Sequence, residues 1–296
     1  MLKSKKIIIF LLVILIFLII SGFLILKSKS LSFSVGEKLK VGATIFPLYD
    51  IIKNIGGDKI VAVLILPSGA SPHTFEVTPE QIKNLIGAKA IFQIGHQIDN
   101  WIKNVSQAIP QAQIITVDKN INFLARDGEI DPHYWLSLKN GEIIAQNILA
   151  NLISLDPSNK DYYQNNFVHY VQKLEALDQA IKNDLSSLKS RYLLTLHDAF
   201  YYFARDYSLK VVGSFEPGGK EIKPHELIDL EKKIKEYKIG VVFSEPQLSQ
   251  SLILPFFQDL KLKIFVLDPL GGAEGRDTYL NLLKYDAQTI KEALNL

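Results

Sequence analysis

The chain has 296 residues, 33 basic side chains against 31 acidic ones, and no cysteine. The missing thiol excludes disulfides, thiolate metal sites, iron–sulfur clusters and cysteine nucleophiles, and the near balance of charge, with no basic stripe, argues against a nucleic-acid partner. Any bound metal must be held by carboxylates and by the six histidines, His73, His96, His133, His169, His197 and His225.

In chain order, the first element is an apolar run from Ile7 to Leu26, interrupted only by Ser21 and Gly22. About 20 residues rising ~1.5 Å each match the ~30 Å hydrocarbon core of a bilayer. The run exceeds the ~7–15-residue core of a signal peptide and shows no small-residue cut site. Residues 1–36 are therefore expected to be an uncleaved N-terminal membrane anchor with a spacer, and the rest an extracytoplasmic body at the cell membrane. Lys3, Lys5 and Lys6 would lie on the inner side, although Lys27 and Lys29 flank the other end.

From residue 37 to 156 the pattern alternates. Strands are expected at Leu39–Ile45, Ile60–Leu66, Ala90–Ile94 and Gln113–Val117, with helices near Leu48–Ile55, Pro79–Ile86, Ile98–Ala108 and Gly141–Leu155. Thr78, Pro79 and Gln81 form a capping-box start. A segment over 157–190 then carries Phe167, Val171, Leu174, Leu177, Ile181, Leu185 and Leu188 at three- and four-residue steps, which predicts one long helix from about Asn159 to Ser190, roughly 45 Å in length. Alternation resumes over 191–296, with strands at Tyr192–Leu196, Leu209–Phe215, Ile239–Ser244 and Lys263–Leu267 and helices near Phe200–Tyr207, Pro224–Lys238, Gln250–Leu260 and Thr278–Leu294. The expected fold is α/β: two lobes, each with a four-stranded, mostly parallel sheet flanked by helices, joined by one long helix.

Ligand sites in open α/β sheets lie beyond the carboxyl ends of the strands. The loops there hold Pro67 to Glu76 with His73, Asp131-Pro132-His133-Tyr134-Trp135, His197-Asp198, and Asp268-Pro269. Singly, each residue reads equally well as packing or as a turn former. As a set, three neutral imidazoles and the Asp268 carboxylate satisfy a tetrahedral divalent ion. His96, His169 and His225 read as surface or structural residues. Trp135, two residues beyond His133, reads as a shield for an ion or as a buried hydrophobe.

These segments carry a family resemblance. Pro72-His73-Thr74-Phe75-Glu76-Val77-Thr78-Pro79, Asp131-Pro132-His133-Tyr134-Trp135-Leu136, His197-Asp198-Ala199-Phe200 and Leu267-Asp268-Pro269-Leu270 resemble, in order and spacing, the motifs of the solute-binding proteins of zinc and manganese ABC importers. The resemblance covers nearly all of Lys38–Leu296. It implies that His73, His133, His197 and Asp268 are four metal ligands, and that the protein, a monomer, delivers its ion to a membrane permease with a cytoplasmic ATPase. Glu245 falls at a family-like position and is expected to support the ligands. Two departures stand out. The stretch Asp118 to Ile130 lacks the histidine-rich loop of many zinc-specific members, and the third ligand is His197 where manganese members usually have glutamate. Imidazole favours Zn2+, with Mn2+ the alternative.

Two other classes fit parts of the sequence. Three histidines with an open position are the arrangement of a zinc-dependent hydrolase, yet the chain has neither a His-Glu-x-x-His helix nor a Gly-x-Ser-x-Gly elbow. A tethered adhesin with a structural metal is the other reading, and its ion would supply folding energy.

Overall fold

Eight short runs rich in β-branched and aromatic residues form two parallel sheets, as expected. In the first half, β1 (Leu39–Ala43), β2 (Ile60–Leu64), β3 (Ala90–Gln93) and β4 (Gln113–Thr116) pair in the order β2-β1-β3-β4. A two-residue hairpin, β5 (Ala125–Arg126) and β6 (Glu129–Ile130), follows. In the second half, β7 (Tyr192–His197), β8 (Lys210–Glu216), β9 (Val241–Ser244) and β10 (Lys263–Val266) pair in the order β8-β7-β9-β10. Each sheet thus has its first strand between its second and its third. That order reverses the direction of the crossovers beside the first strand and opens a crevice at its carboxyl end. This computed structural model describes residues 38–126, 128–216, 223–248 and 254–296. The anchor expected over residues 1–36 lies outside them, and no helix among the described residues is long and apolar enough to cross a membrane.

The helices are α1 (Phe46–Gly56), α2 (Pro79–Leu85), α3 (Ile102–Ala108), α4 (Leu138–Leu155), α5 (Lys160–Asp184), α6 (Tyr201–Asp206), α7 (Pro224–Glu236), α8 (Leu254–Asp259) and α9 (Tyr279–Leu294). The expected capping box starts α2: the Thr78 hydroxyl accepts from Gln81 N at 3.4 Å, and the Gln81 side chain accepts from Thr78 N at 2.8 Å. Gly42 lets α2 approach β1, because a Cβ there would meet Leu85 at 2.8 Å. The long helix α5 has 25 residues and stops at Asp184, short of the expected Ser190. Its apolar stripe does continue through Leu185, but the Arg191 guanidinium donates to Leu185 O at 3.2 Å and Ser186 O at 2.9 Å. Such bonds satisfy carbonyls that have no intrahelical donor at a helix C-terminus.

One core serves both halves. Ile51, Ile91, Ile148, Leu174, Leu193, Phe203 and Leu283, drawn from six helices and strands on either side of the connector and from the connector itself, belong to a single buried apolar cluster. Along β7 the side chains alternate as a strand requires. Leu193 faces the shared core, whereas Leu194 and Leu196 face a smaller cluster with Val212, Phe215 and Phe257. The helix α9 returns from the second half to pack against α1 and α5, and Leu39–Leu296 form one compact unit.

Tyr279, at the start of α9, ties this junction by hydrogen bonds. Its N–H donates to Asp50 Oδ2 at 3.0 Å, and its hydroxyl donates to Trp135 O and lies 3.2 Å from Ser137 O. All of these groups are buried. Tyr279→Phe takes the hydroxyl from Trp135 O, while Ser137 O keeps the Gly141 N–H at 2.8 Å, and is expected to destabilise the protein by about 1–3 kcal/mol, a fall of a few degrees in melting temperature, read by thermal denaturation. An unchanged melting point would show that the hydroxyl contributes nothing to the junction.

Candidate metal centre

His73 and His133, from two separate loops, and His197, from the end of β7, meet at the crevice between the two sheets. Their ring centroids lie 5.8 Å (His73 to His133), 5.2 Å (His73 to His197) and 4.9 Å (His133 to His197) apart, with interplanar angles of 55°, 81° and 78°. One ring nitrogen from each lies within 4.8 Å of the others. A tetrahedral ion with Zn–N bonds of ~2.0–2.1 Å holds its donors about 3.3 Å apart. The three rings therefore need to close by no more than about 1.5 Å to share one cation.

Each ring is positioned by its local sequence. His73 rides on the loop after β2, which the α2 capping box closes at one end while Gln81 Nε2 donates back to Ile65 O at 3.0 Å. Ser68, in the same loop, donates to Gly272 O of the second half at 2.9 Å. Gly272 has φ +81°, and a Cβ there would strike the Ser68 hydroxyl at 2.5 Å. His133 follows the hairpin. Asp131 accepts from the His133 backbone N–H at 3.0 Å and from its ring Nδ1 at 2.9 Å with the same oxygen, Oδ1. His197 is the last residue of β7, and its Nδ1 lies 3.4 Å from Glu245 Oε2. In both His133 and His197 a carboxylate thus engages Nδ1, which directs the lone pair of Nε2 into the crevice. Both Nε2 atoms are buried, and neither has a hydrogen-bond partner.

The electrostatics separate the three rings. His73 keeps solvent contact as a residue, yet its ring faces the other two. Burial, and then the charge of a protonated His133 or His197, pushes its pKa down to about 4 against the pull of Asp198. For His197 burial is the largest single influence and acts downward, but Glu245, Asp198 and Asp131 together outweigh it and raise the pKa above 6.5.

The cavity holding the rings is small, about 170 Å³, and is also lined by Trp135, Glu245, Gln247, Pro269 and Leu270. Trp135 is fully buried against His133, with centroids 5.3 Å apart, and its indole N–H donates to Pro269 O at 2.7 Å. It thus walls the cavity and fixes the turn that follows β10. Asp268 begins that turn and is not one of the three clustered donors. Its Oδ1 accepts from Leu270 N and Gly271 N, each at 3.0 Å, and from Gln247 Nε2 at 3.1 Å, while Oδ2 lies 3.4 Å from Arg276. His96 stands apart, paired with Asp118 at 3.0 Å, and His169 and His225 are exposed. Sequence reading gave no role to Asp131, although its place two residues before His133 is the spacing that lets one oxygen reach both the backbone and the ring.

The comparisons with known proteins give the family. Residues 41–293 match the family described as ZnuA, zinc-uptake complex component A, periplasmic. The chain belongs to this family. Among its relatives, the manganese ABC transporter substrate-binding lipoprotein PsaA of Streptococcus anginosus is 31% identical over 88% of this chain and 90% of the relative. The high-affinity zinc uptake system protein ZnuA of Bacillus subtilis (strain 168) is 27% identical over 90% of this chain and 91% of its own length. A crystal structure of a ZnuA deletion mutant with zinc bound superposes with a TM-score of 0.81 at 30% identity, covering 88% of this chain and 99% of that one. Zinc and manganese proteins thus both appear among the relatives of this ZnuA-family chain, as the resemblance implies.

Two outcomes are expected. Asp131→Asn removes the carboxylate behind His133 and should weaken zinc binding by about 10–100-fold with the fold intact, measured by competition with a chromogenic chelator; unaltered affinity would sever Asp131 from the site. Because only a neutral ring coordinates, affinity should fall as pH drops through the raised pKa of His197, with the onset above pH 6.5. His73, near 4, adds no further loss until the solution approaches that value. Calorimetric titrations between about pH 4 and 8 test the sign; affinity that is flat down to pH 5 would contradict it.

Proposed function

We propose that His73, His133 and His197 capture one divalent transition-metal ion, zinc in preference to manganese, as cargo for an ABC importer made of a membrane permease and a cytoplasmic ATPase. The observation that carries this reading is the pair of buried Nε2 atoms of His133 and His197, neither of them hydrogen-bonded, facing His73 in one small cavity. A buried acceptor without a partner costs ~1–3 kcal/mol, and a cation removes that cost at both atoms. An imidazole-rich donor set suits zinc better than the harder manganese ion. We assign Asp268 as the fourth donor. Its turn borders the cavity through Pro269 and Leu270, and a carboxylate offsets part of the cation's charge.

The same features support binding over catalysis. Small-molecule sites usually occupy ~300–1,000 Å³, above the roughly 170 Å³ at the rings, a space that suits an ion with a few waters. The lobes are assigned as 37–156 and 191–296 with 157–190 connecting them, and residues 1–36 as the tether that holds the body outside the cell membrane.

The purified protein is expected to bind one equivalent of zinc and to keep it against equimolar manganese. Zinc at about 100 times Kd should add ~2.7 kcal/mol of stability. His133→Ala or His197→Ala should weaken binding by more than the ~100-fold upper range seen for outer-sphere partners, while leaving the metal-free melting temperature within a few degrees. Metal analysis, thermal shift and competition titration read these outcomes. Sub-stoichiometric zinc, or manganese holding the site, would overturn the assignment.

A further inference from the structure

The β5–β6 hairpin lies between β4 and His133, in the first half of the chain, yet its polar contacts are with the second half. Arg126 Nη1 donates to Asp198 Oδ2 at 2.6 Å, and the guanidinium carbon sits 3.8 Å from the centre of the Tyr201 ring. A planar cation held between a carboxylate and an aromatic face is fixed in orientation as well as position. Asp198 is only 9% exposed at its side chain and Arg126 28%, so the pair is partly desolvated and solvent screens it weakly. The other oxygen, Asp198 Oδ1, lies 3.6 Å from His197 Nε2, the nitrogen assigned above to the ion. One carboxylate is thus shared between Arg126 and the donor face of His197.

The base of the hairpin leads to the other buried ligand. Asp131 N donates to Leu124 O at 2.9 Å, Leu124 N donates to Tyr202 Oη at 3.0 Å, and the Tyr202 hydroxyl donates to Asp131 O at 2.8 Å. Asp131 in turn holds the His133 ring. One end of the hairpin therefore carries His133 and the other grips the residue after His197. Any movement that draws His133 away from His197 must stretch the pair between Arg126 and Asp198.

We propose that Arg126 is a positioning residue that sets the lifetime of the bound ion, acting through Asp198 to hold the His133 and His197 donor faces together. This inference rests on the metal-capture reading above. Because the contact resists separation and does not touch the ion, its loss speeds dissociation and leaves association unchanged. A charge-assisted hydrogen bond of this kind is strong enough to alter a rate by about tenfold.

The test is stopped-flow release of zinc from the loaded full chain into excess chelator, with association measured in parallel. Arg126→Ala is expected to raise the dissociation rate about tenfold with the association rate within twofold. Arg126→Lys, which keeps the charge but loses the flat face over Tyr201, should fall between. Asp198→Asn also loses the charge beside His197 Nε2 and should accelerate release at least as much, and adding Arg126→Ala to it should add little, since the Arg126–Asp198 contact is already broken. An unchanged release rate in Arg126→Ala, additive effects of the two substitutions, or a slowed association rate would each overturn the proposal. Failure of the unsubstituted protein to bind zinc would instead reject the metal-capture reading, and this inference with it.

Discussion

Two imidazole rings, each with a carboxylate against Nδ1 and no hydrogen bond at Nε2, set the terms for the rest of the molecule. A neutral imidazole has one N–H and one lone pair. When Asp131 accepts from Nδ1 of His133, and Glu245 faces Nδ1 of His197, the lone pair of each ring lies at Nε2. Those atoms are buried, so in the metal-free molecule they contribute an unfavourable term that the remaining structure offsets. The arrangement persists because the two rings are anchored by separate elements, one at the end of a central strand and one two residues before the fully buried Trp135.

The sheets explain why those elements converge. Both have the same strand order, so both place a topological switch beside their first strand and present strand ends to one crevice. The connector α5 and the returning α9 pack into one apolar cluster shared by the two halves. Interiors packed in this way deform little. That rigidity suits a site whose donors stand within 4.8 Å of one another and need only a small contraction around an ion.

Much of this was legible in the residues, for reasons that can be named. The eight strands of the two sheets are dense in Val, Ile, Leu and Phe because parallel strands are covered on both faces, and loops beyond their carboxyl ends gave His73, His133 and His197 directly. The capping box at Thr78 was readable because its chemistry is local. Three features were not. The chain leaves α5 where Arg191, seven residues beyond Asp184, bonds the carbonyls of Leu185 and Ser186, and no periodicity announces that. The β5–β6 hairpin has two residues per strand, too few for an alternating pattern, and is held by Tyr202 and Asp198, more than 70 residues away. The setting of Asp268 was equally hidden: a motif marks the residue, but only the folded turn shows its oxygens engaged by Leu270, Gly271, Gln247 and Arg276.

The place of α9 also bears on how the chain comes to fold as it is made. A ribosome releases the first strand and α1 long before α9, yet Leu282, Leu283 and Ile290 of α9 share a core with Ile51 and Ile52 of α1. Contacts so distant in sequence are slow to form, and until they do, the apolar flank of the nascent first half stays open to water. Such a surface is what chaperones retain and what aggregates when they do not. The turns of α9 therefore finish the N-terminal half as much as their own, and a chain truncated before α9 would leave the shared core of both halves open.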